Sequence, residues 1–196
     1  WASGSDWGIA GIERVPADDA KNLQRVLDVR LSPNYREFVS FQLDGRPHIL
    51  GLHDDVGANI WRIDEGPNGL TFNLVKYGQQ MSAKYGHLVS FYIDGHPYLF
   101  GVHVGSGGKY IGEGVGANIW RVEDTPADGL KLVMYGKDFH RYYDYVSSFR
   151  LNGEPYLFAA KLIPPGAALR GMEIPPIDII PAIVDDVQSS PGGFGV

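Results

Sequence analysis

The sequence predicts an all-β protein made of three antiparallel repeats, each with four strands. A block that begins at Tyr35 recurs from Tyr85 and again from Tyr143, at spacings of 50 and then 58 residues. Each copy contains an Asp-Gly or Asn-Gly pair, at 44–45, 94–95 and 152–153. Such pairs indicate hairpins because both central residues accept positive φ. The 26 glycines and 13 prolines are typical of short strands joined by tight turns.

Each full repeat divides into four predicted strands. In the first repeat they are 38–43, 48–53, 58–63 and 70–77, and in the second they are 88–93, 98–103, 117–122 and 130–135. The second repeat differs from the first mainly by a Gly-rich insertion at 105–113. We expect this insertion to be a flexible surface loop, either a neutral length variation or a functional one.

The third repeat is divided between the two ends of the chain. The segment from Ile9 aligns with the segment from Ile119, so the N-terminus carries the second half of a repeat and 143–162 the first half. Pairing these halves would remove exposed sheet edges. We therefore predict a closed, pseudo-threefold, propeller-like ring. The alternatives are half of a six-bladed propeller formed by a dimer, or a β-trefoil or prism.

One repeat-built domain is predicted over 1–162, with repeats at about 35–84, 85–142, and 143–162 joined with 6–34. The remainder, 163–196, is a proline-rich arm. Prolines at 164, 165, 175, 176 and 181 exclude a continuous helix or a central strand there. We expect an extended arm that lies on the ring or on a partner and is disordered over 189–196.

Composition excludes several functional classes. The net charge is −6 without a basic run, which argues against nucleic acid as a partner. No apolar stretch approaches the roughly 18 residues of a membrane span. The chain has no cysteine, so disulfides and thiolate sites are excluded. Because it starts at Trp1 rather than Met, we expect a processed chain, with a secreted or extracellular location slightly favoured.

Candidate catalytic residues follow from the repeat. His53, His103 and Lys161 occupy the same place at the end of the second strand, and threefold placement would bring them together near the axis. Histidine titrates near neutral pH and can act as acid or base. Arg62 and Arg121 lie on the neighbouring strand and could stabilise negative charge. The structural alternative is that these residues satisfy backbone groups where strands end.

Candidate ligand-binding residues are the polar and aromatic side chains that recur between repeats: Trp61, Trp120, Asn59, Asn118, Tyr35, Tyr85 and Tyr143. A tryptophan or tyrosine ring stacks on the apolar face of a sugar, and the amides supply donors and acceptors. Packing between sheets is the alternative role for these aromatic residues.

A metal site is the weaker interpretation of the histidines. Two histidines with Asp54 or Asp55 could form a facial set, but the third repeat has Lys161, a poor ligand while protonated. We expect no metal and no cofactor.

The blocks Gly57-Ala-Asn59-Ile-Trp61-Arg62 and Gly116-Ala-Asn118-Ile-Trp120-Arg121 provide a family resemblance. They resemble the Trp-bearing strand of propeller lectins of the tectonin and tachylectin kind. The repeat here is longer than a tectonin repeat. The resemblance implies glycan binding and transfers no particular residue.

We predict a non-enzymatic module that binds a small molecule or glycan, with carbohydrate as the favoured ligand. One alternative is a small lyase, cyclase or hydrolase with an axial His, Arg and Lys pocket. Another is a protein-interaction scaffold that uses the C-terminal arm. The half-repeats at the two termini also allow a homodimer.

Overall fold

The fold is known from a computed structural model, which describes residues 8–17, 21–79, 81–103, 117–139, 143, 145–160 and 179–181. Within these residues the regular structure is entirely β-strand: β1 Gly8–Arg14, β2 Gln24–Leu31, β3 Tyr35–Leu43, β4 Arg46–His53, β5 Gly57–Gly66, β6 Gly69–Gln79, β7 Tyr85–Ile93, β8 His96–His103, β9 Ala117–Thr125, β10 Gly129–Phe139, β11 Tyr145–Leu151, β12 Glu154–Ala160 and β13 Ile179–Pro181. The part of the chain described contains no helix of the length and apolar character that a membrane crossing requires.

The strands form four antiparallel sheets. The first sheet has the order β3-β4-β5-β6 and the second has the order β7-β8-β9-β10, so both complete repeats fold as predicted. The third sheet has the order β11-β12-β13, and β1 and β2 form a separate N-terminal hairpin. The prediction of four-stranded antiparallel repeats is confirmed for the two full copies.

The turns between the first two strands of each repeat have the backbone conformation that their residues predict. Asp44 and Gly45 have φ of 51° and 71°, and Asp94 and Gly95 have 49° and 80°. Asn152 and Gly153 repeat the pattern with 52° and 88°. Two consecutive positive φ values define a turn whose twist matches that of the flanking strands, so these pairs fix the hairpin register.

Apolar side chains form the core between successive sheets. One buried cluster joins the face of the first sheet that carries Phe41 and Leu50 to the face of the second sheet that carries Leu88 and Trp120. A second cluster joins the opposite face of the second sheet, including Phe100, to the third sheet. We call the face of a sheet that packs on the following sheet its forward face, and the other its backward face.

The predicted closure of the ring is not seen. Among the described strands, β1 pairs only with β2, and the third sheet is completed by β13 instead of β1. The register explains why β13 can do this. Phe158 pairs with Ile179 in the third sheet as Phe100 pairs with Ile119 in the second, so β13 occupies the place of a third strand.

Some expectations fall outside the described residues. These are the insertion at 105–113 and most of the C-terminal arm, including its predicted disorder over 189–196. The described part of the arm is β13, where Pro181 ends a strand at the edge of its sheet. An edge position is where proline is tolerated, since it donates no ladder hydrogen bond.

In each full repeat, a glycine on the second strand lies against the ring of the tryptophan on the third strand. A Cβ on Gly101 would lie 2.6 Å from Leu88 Cδ2 and 3.3 Å from Trp120 Cζ3. At the corresponding Gly51, it would lie 3.0 Å from Trp61 Cζ3. The absence of a side chain at these positions lets the tryptophan ring lie against the backbone.

We expect Gly101→Val to lower the free energy of unfolding by about 1–3 kcal/mol, because the new methyl groups overlap Leu88 and Trp120 in a packed core. Urea denaturation measures this loss. Gly66→Ala is the matched control, since its Cβ would meet nothing closer than 3.7 Å. It should change stability by less than about 0.5 kcal/mol. Equal effects of the two substitutions would contradict the close approach.

An aromatic pair also recurs on the forward face of every repeat. His48 stacks on Phe41 with ring centroids 5.3 Å apart, Tyr98 stacks on Phe91 at 5.6 Å, and Tyr156 stacks on Phe149. His48 is 4% exposed, and its Nδ1–H donates to the Arg46 carbonyl at 2.9 Å. Burial lowers the pKa of His48, although the bond to Arg46 opposes this effect.

A pH-dependent part of stability follows from His48. Its pKa is lowered by folding, so the unfolded chain binds the proton more readily. The neutral ring therefore contributes stability above the unfolded pKa of about 6.5, and this contribution is lost as the pH falls below that value. Urea denaturation between about pH 7.5 and about pH 5 should show falling stability. His48→Tyr introduces the residue that the other two repeats have at this position, and it should reduce the dependence of the free energy of unfolding on pH. An unchanged dependence would contradict the role of His48.

Candidate functional site

A cavity of about 280 Å³ lies between β2 and the first sheet. Four of the predicted site residues line it: Tyr35, His53, Asn59 and Trp61. They come from three adjacent strands because Tyr35 pairs with His53 in the β3–β4 ladder, and Asn59 lies two residues from Trp61 in β5. Residues two apart in a strand share a face, so the backward face of the first sheet carries the site.

The floor of the pocket is a bonded set of Tyr35, Asn59 and Trp61. Asn59 is 2% exposed, and its Nδ2 donates to the Tyr35 hydroxyl at 2.5 Å while its Oδ1 accepts from the Gly78 amide at 2.8 Å. The Tyr35 ring meets Trp61 edge-on, with centroids 5.3 Å apart. Burial raises the pKa of Tyr35, so the phenol remains protonated at neutral pH.

The second sheet repeats this set. Asn118 donates to the Tyr85 hydroxyl, and the Tyr85 and Trp120 rings meet edge-on with centroids 4.7 Å apart. Burial raises the pKa of Tyr85 as well. Here, however, Met81 is 2% exposed and joins Tyr85 and Trp120 in the apolar cluster between the first two sheets. The second copy is therefore part of the core.

His53 lies at the side of the pocket and has a defined tautomer. The Asp55 amide donates to His53 Nδ1 at 3.2 Å, so the ring proton is on Nε2, which donates to Ser32 Oγ at 3.0 Å. The imidazole also lies edge-on to Tyr35, with ring centroids 4.8 Å apart. The Asp55 carboxylate is farther away, with Oδ2 at 3.9 Å from Nδ1.

These contacts resemble a Ser, His and carboxylate set, but their hydrogen-bond polarity is reversed. In such a set Nε2 accepts the serine proton and Nδ1–H donates to the carboxylate. Here Ser32 Oγ accepts from His53 Nε2 and also from the backbone N–H of Asn34, at 3.3 Å. The arrangement leaves the serine proton free to point into the pocket, where Ser32 can act as a donor to a ligand.

The structure does not bring Arg62 or Arg121 to His53. Arg62 follows Trp61 in β5 and so lies on the opposite face, where its Nε bonds the Asp64 carboxylate at 2.8 and 2.9 Å. Arg121 bonds Glu123 in the same way on β9. This pairing lowers the pKa of Glu123 and raises that of Arg121. Both guanidinium groups are engaged by their own strands.

The remaining predicted residues lie elsewhere. His103 ends β8 opposite Tyr85, the position that His53 has opposite Tyr35, but its side chain lies outside the description, as does Lys161. The convergence of these groups on an axis therefore stays a prediction. Tyr143 is 8% exposed and packs in the cluster between the second and third sheets.

The predicted metal interpretation gains no support from the acidic residues beside His53. Asp54 forms an ion pair with Arg36. Among the described residues, no three His, Cys, Asp or Glu side chains lie close enough together to hold a metal ion.

Three polar or aromatic residues of the pocket were missed by sequence reasoning, namely Arg30, Ser32 and Tyr77, as were the apolar Leu31 and Val56. Repeat patterns could have indicated two of them. Tyr77-Gly78 recurs as Tyr135-Gly136, and Ser32, three residues before Tyr35, has a counterpart in Ser82, three before Tyr85. Tyr77 is the exposed aromatic side chain of the pocket, at 64% exposure, whereas Trp61 and Trp120 are 6% and 2% exposed. Sugar stacking is therefore more accessible to Tyr77 than to either tryptophan.

No protein-family model matches the chain, and comparison with curated proteins found no similar sequence. The resemblance to propeller lectins therefore rests on the two Gly-Ala-Asn-Ile-Trp-Arg blocks. In both blocks the asparagine bonds a tyrosine hydroxyl and the tryptophan is buried against that tyrosine. Sheet packing therefore explains why these residues recur in the two blocks.

We expect Asn59→Ala to lower the free energy of unfolding by about 1–3 kcal/mol, because Tyr35 loses its donor and the Gly78 amide loses its acceptor. In a Tyr35→Phe background this loss should shrink by about 1 kcal/mol, and urea denaturation of the four proteins measures the coupling. Asn73→Ala, which removes an exposed amide bonded to Asp64, is the control and should cost less than about 0.5 kcal/mol. If the free-energy losses of Asn59→Ala and Tyr35→Phe simply add in the double variant, the hydrogen bond between the two side chains is contradicted.

Proposed function

We propose that the protein binds carbohydrate, and that the ligand is held in the pocket between β2 and the first sheet. The observation that carries this proposal is the combination of an exposed aromatic ring, Tyr77, with the Ser32 hydroxyl, which His53 orients, around one cavity. A sugar presents an apolar C–H face and a rim of hydroxyl groups, and it needs both kinds of partner at once.

The size and polarity of the cavity support a small ligand. Its volume of about 280 Å³ lies near the lower end of ligand pockets, which suits a single sugar ring better than an extended chain. Arg30 and the Ser32 hydroxyl, whose oxygen accepts from His53, provide hydrogen-bond donors on one side. Tyr77 supplies an aromatic face at the rim, and Trp61 supports the floor from below.

Binding is preferred to catalysis because of the protonation at His53. An imidazole whose Nδ1 accepts from the Asp55 amide holds its proton on Nε2 and does not take one from Ser32. The predicted arginine partners are bonded to Asp64 and Glu123 instead. A donor array with a fixed tautomer favours recognition of ligand oxygens.

We also propose that the stacked sheets are blades of a propeller-like structure. The first strands of three successive repeats, β3, β7 and β11, lie side by side, and the sheets pack face to face. The support for this arrangement is the repetition of the same forward and backward faces in each sheet. Such a scaffold would hold the pocket between two rigid sheets.

The test is glycan-array screening followed by calorimetric titration with the best sugar. We expect Tyr77→Ala to weaken binding by at least about tenfold, which corresponds to about 1.4 kcal/mol. Met134→Ala is the control, because Met134 is a comparably exposed large side chain, at 52% against 64% for Tyr77, and lies on the second sheet without lining the pocket. It should bind like the unmodified protein. An array without a bound glycan, or equal affinities for both variants, would refute the proposal.

A further inference from the structure

The forward face of the third sheet is an exposed apolar surface. Phe149, Leu151 and Phe158 are 41%, 53% and 40% exposed. They share one face because Phe149 pairs with Tyr156, two residues from Phe158. Their counterparts in the first two sheets, which are the residues buried between neighbouring sheets, include Phe41 at 3% and Phe100 at 1%. Among the described strands, no further sheet covers this packing face of the third sheet.

The backward face of the first sheet has the complementary defect. Phe38 is 44% exposed, whereas Leu88, its counterpart in the second sheet, is 6% exposed because the first sheet covers it. An apolar cavity of about 200 Å³ opens beside Phe38 and Ile49, between the first sheet and the N-terminal hairpin. Within the described residues, the hairpin contacts this sheet through β2 and β6, and Phe38 on β3 remains exposed.

Both defects have one origin, because each end of the chain carries half a sheet. The N-terminal hairpin corresponds in sequence to the third and fourth strands of a repeat, and β11 with β12 corresponds to the first and second. The third and fourth strands that would complete the sheet of β11 and β12 are therefore present at the other end of an identical chain. Within the described strands of a single chain, the two halves are not paired.

We propose that two copies of the chain associate by completing each other's half-sheets. The β1–β2 hairpin of one copy lies beside β11 and β12 of the other, so that β12 pairs with β1 in the order seen for β8 and β9. Two full sheets and two halves from each chain then give a closed ring of six four-stranded sheets, within the usual range of about 4–8 blades. The contact is the same on both copies, as twofold symmetry requires.

The composite sheets remove both exposed faces. Phe149 and Phe158 of one copy would pack against Phe38 and Ile49 of the other, as Phe41 and Leu50 pack in the cluster that includes Leu88. The edge of β1, which pairs with β2 alone among the described strands, would become paired at the same time, and this ends its capacity to recruit other strands. This inference does not depend on the ligand proposed above.

A ladder of serines provides a separate indication that the stack continues. Ser148 Oγ donates to the Ser90 carbonyl, and Ser90 Oγ donates to the Ser40 carbonyl, each at 2.7 Å. Each serine therefore links the first strand of its sheet to the first strand of the preceding sheet. Ser40 is exposed at the start of this series. In the ring of two copies, its hydroxyl would reach the Ser148 carbonyl of the other copy.

The C-terminal strand β13 is the competitor for the β12 edge. It covers three residues of that edge, at Tyr156–Phe158, and its third residue, Pro181, has no N–H to donate. β1 is seven residues long and arrives with β2 already paired to it. In a chain that is alone, β13 protects the edge of β12. In the proposed assembly, β1 of the other copy replaces β13 at this edge.

Sedimentation velocity of the full chain tests the proposal, and we expect the mass of two chains. Phe158→Asp should shift it to the mass of one chain, because a carboxylate would be buried against Phe38. Met134→Asp is the matched control. Met134 is 52% exposed on β10, the last strand of the second sheet, and this strand takes no part in the proposed contact between copies. Near-UV circular dichroism establishes that each variant is folded.

Ile180→Pro in the full chain tests the role of β13, since it removes an N–H from that strand. The mass should remain that of two chains. A single-chain mass for the unmodified protein, or a folded Phe158→Asp variant with the mass of two chains, would overturn the proposal. So would loss of the dimer in Ile180→Pro, because the C-terminal segment would then be what joins the copies.

Discussion

The burial of apolar side chains between successive sheets is the interaction on which the rest of this structure depends. A four-stranded antiparallel sheet satisfies its own backbone hydrogen bonds, but it leaves two faces that each need a cover. The forward face meets the tyrosine, asparagine and tryptophan set of the next sheet, as Leu50 does with Tyr85 and Trp120 in one cluster. Three features described above support this packing. The hairpin turns set the strand register, the glycines let the tryptophan rings lie against the backbone, and the serine ladder links the first strands of successive sheets.

The pocket lies where this packing is incomplete. Between the first and second sheets, Met81 joins the cluster around Tyr85 and Trp120. Between the N-terminal hairpin and the first sheet, the equivalent set of Tyr35 and Trp61 borders open space. The same structural unit is thus core in one repeat and the floor of a pocket in another, which is how a repeat protein can acquire one distinct site without a new fold.

The local structure could be predicted from the sequence because it depends on local signals. The Asp-Gly turns and the alternation of apolar residues specify the hairpins, and the repeat multiplies each signal. The pairing of β12 with β13 could not be predicted, since an edge accepts any extended segment and the arm carries no mark of register. Arg30 was missed for a related reason: its place in the pocket depends on how the hairpin packs on the first sheet, which is a contact between distant segments.

The successive stacking of the sheets has a consequence for how stability is distributed along the chain. Among the described strands, the main contacts between sheets join successive sheets, so a single chain behaves as a short one-dimensional array, with stabilising contacts added at each boundary. The second sheet is covered on both faces, by the clusters that include Leu88 and Phe100, and opening it requires both boundaries to break. In a chain that has not associated with a second copy, the terminal half-sheets have one described boundary each. Amide protection should therefore be greatest in β7 to β9 and decline toward both ends, with local opening proceeding inward.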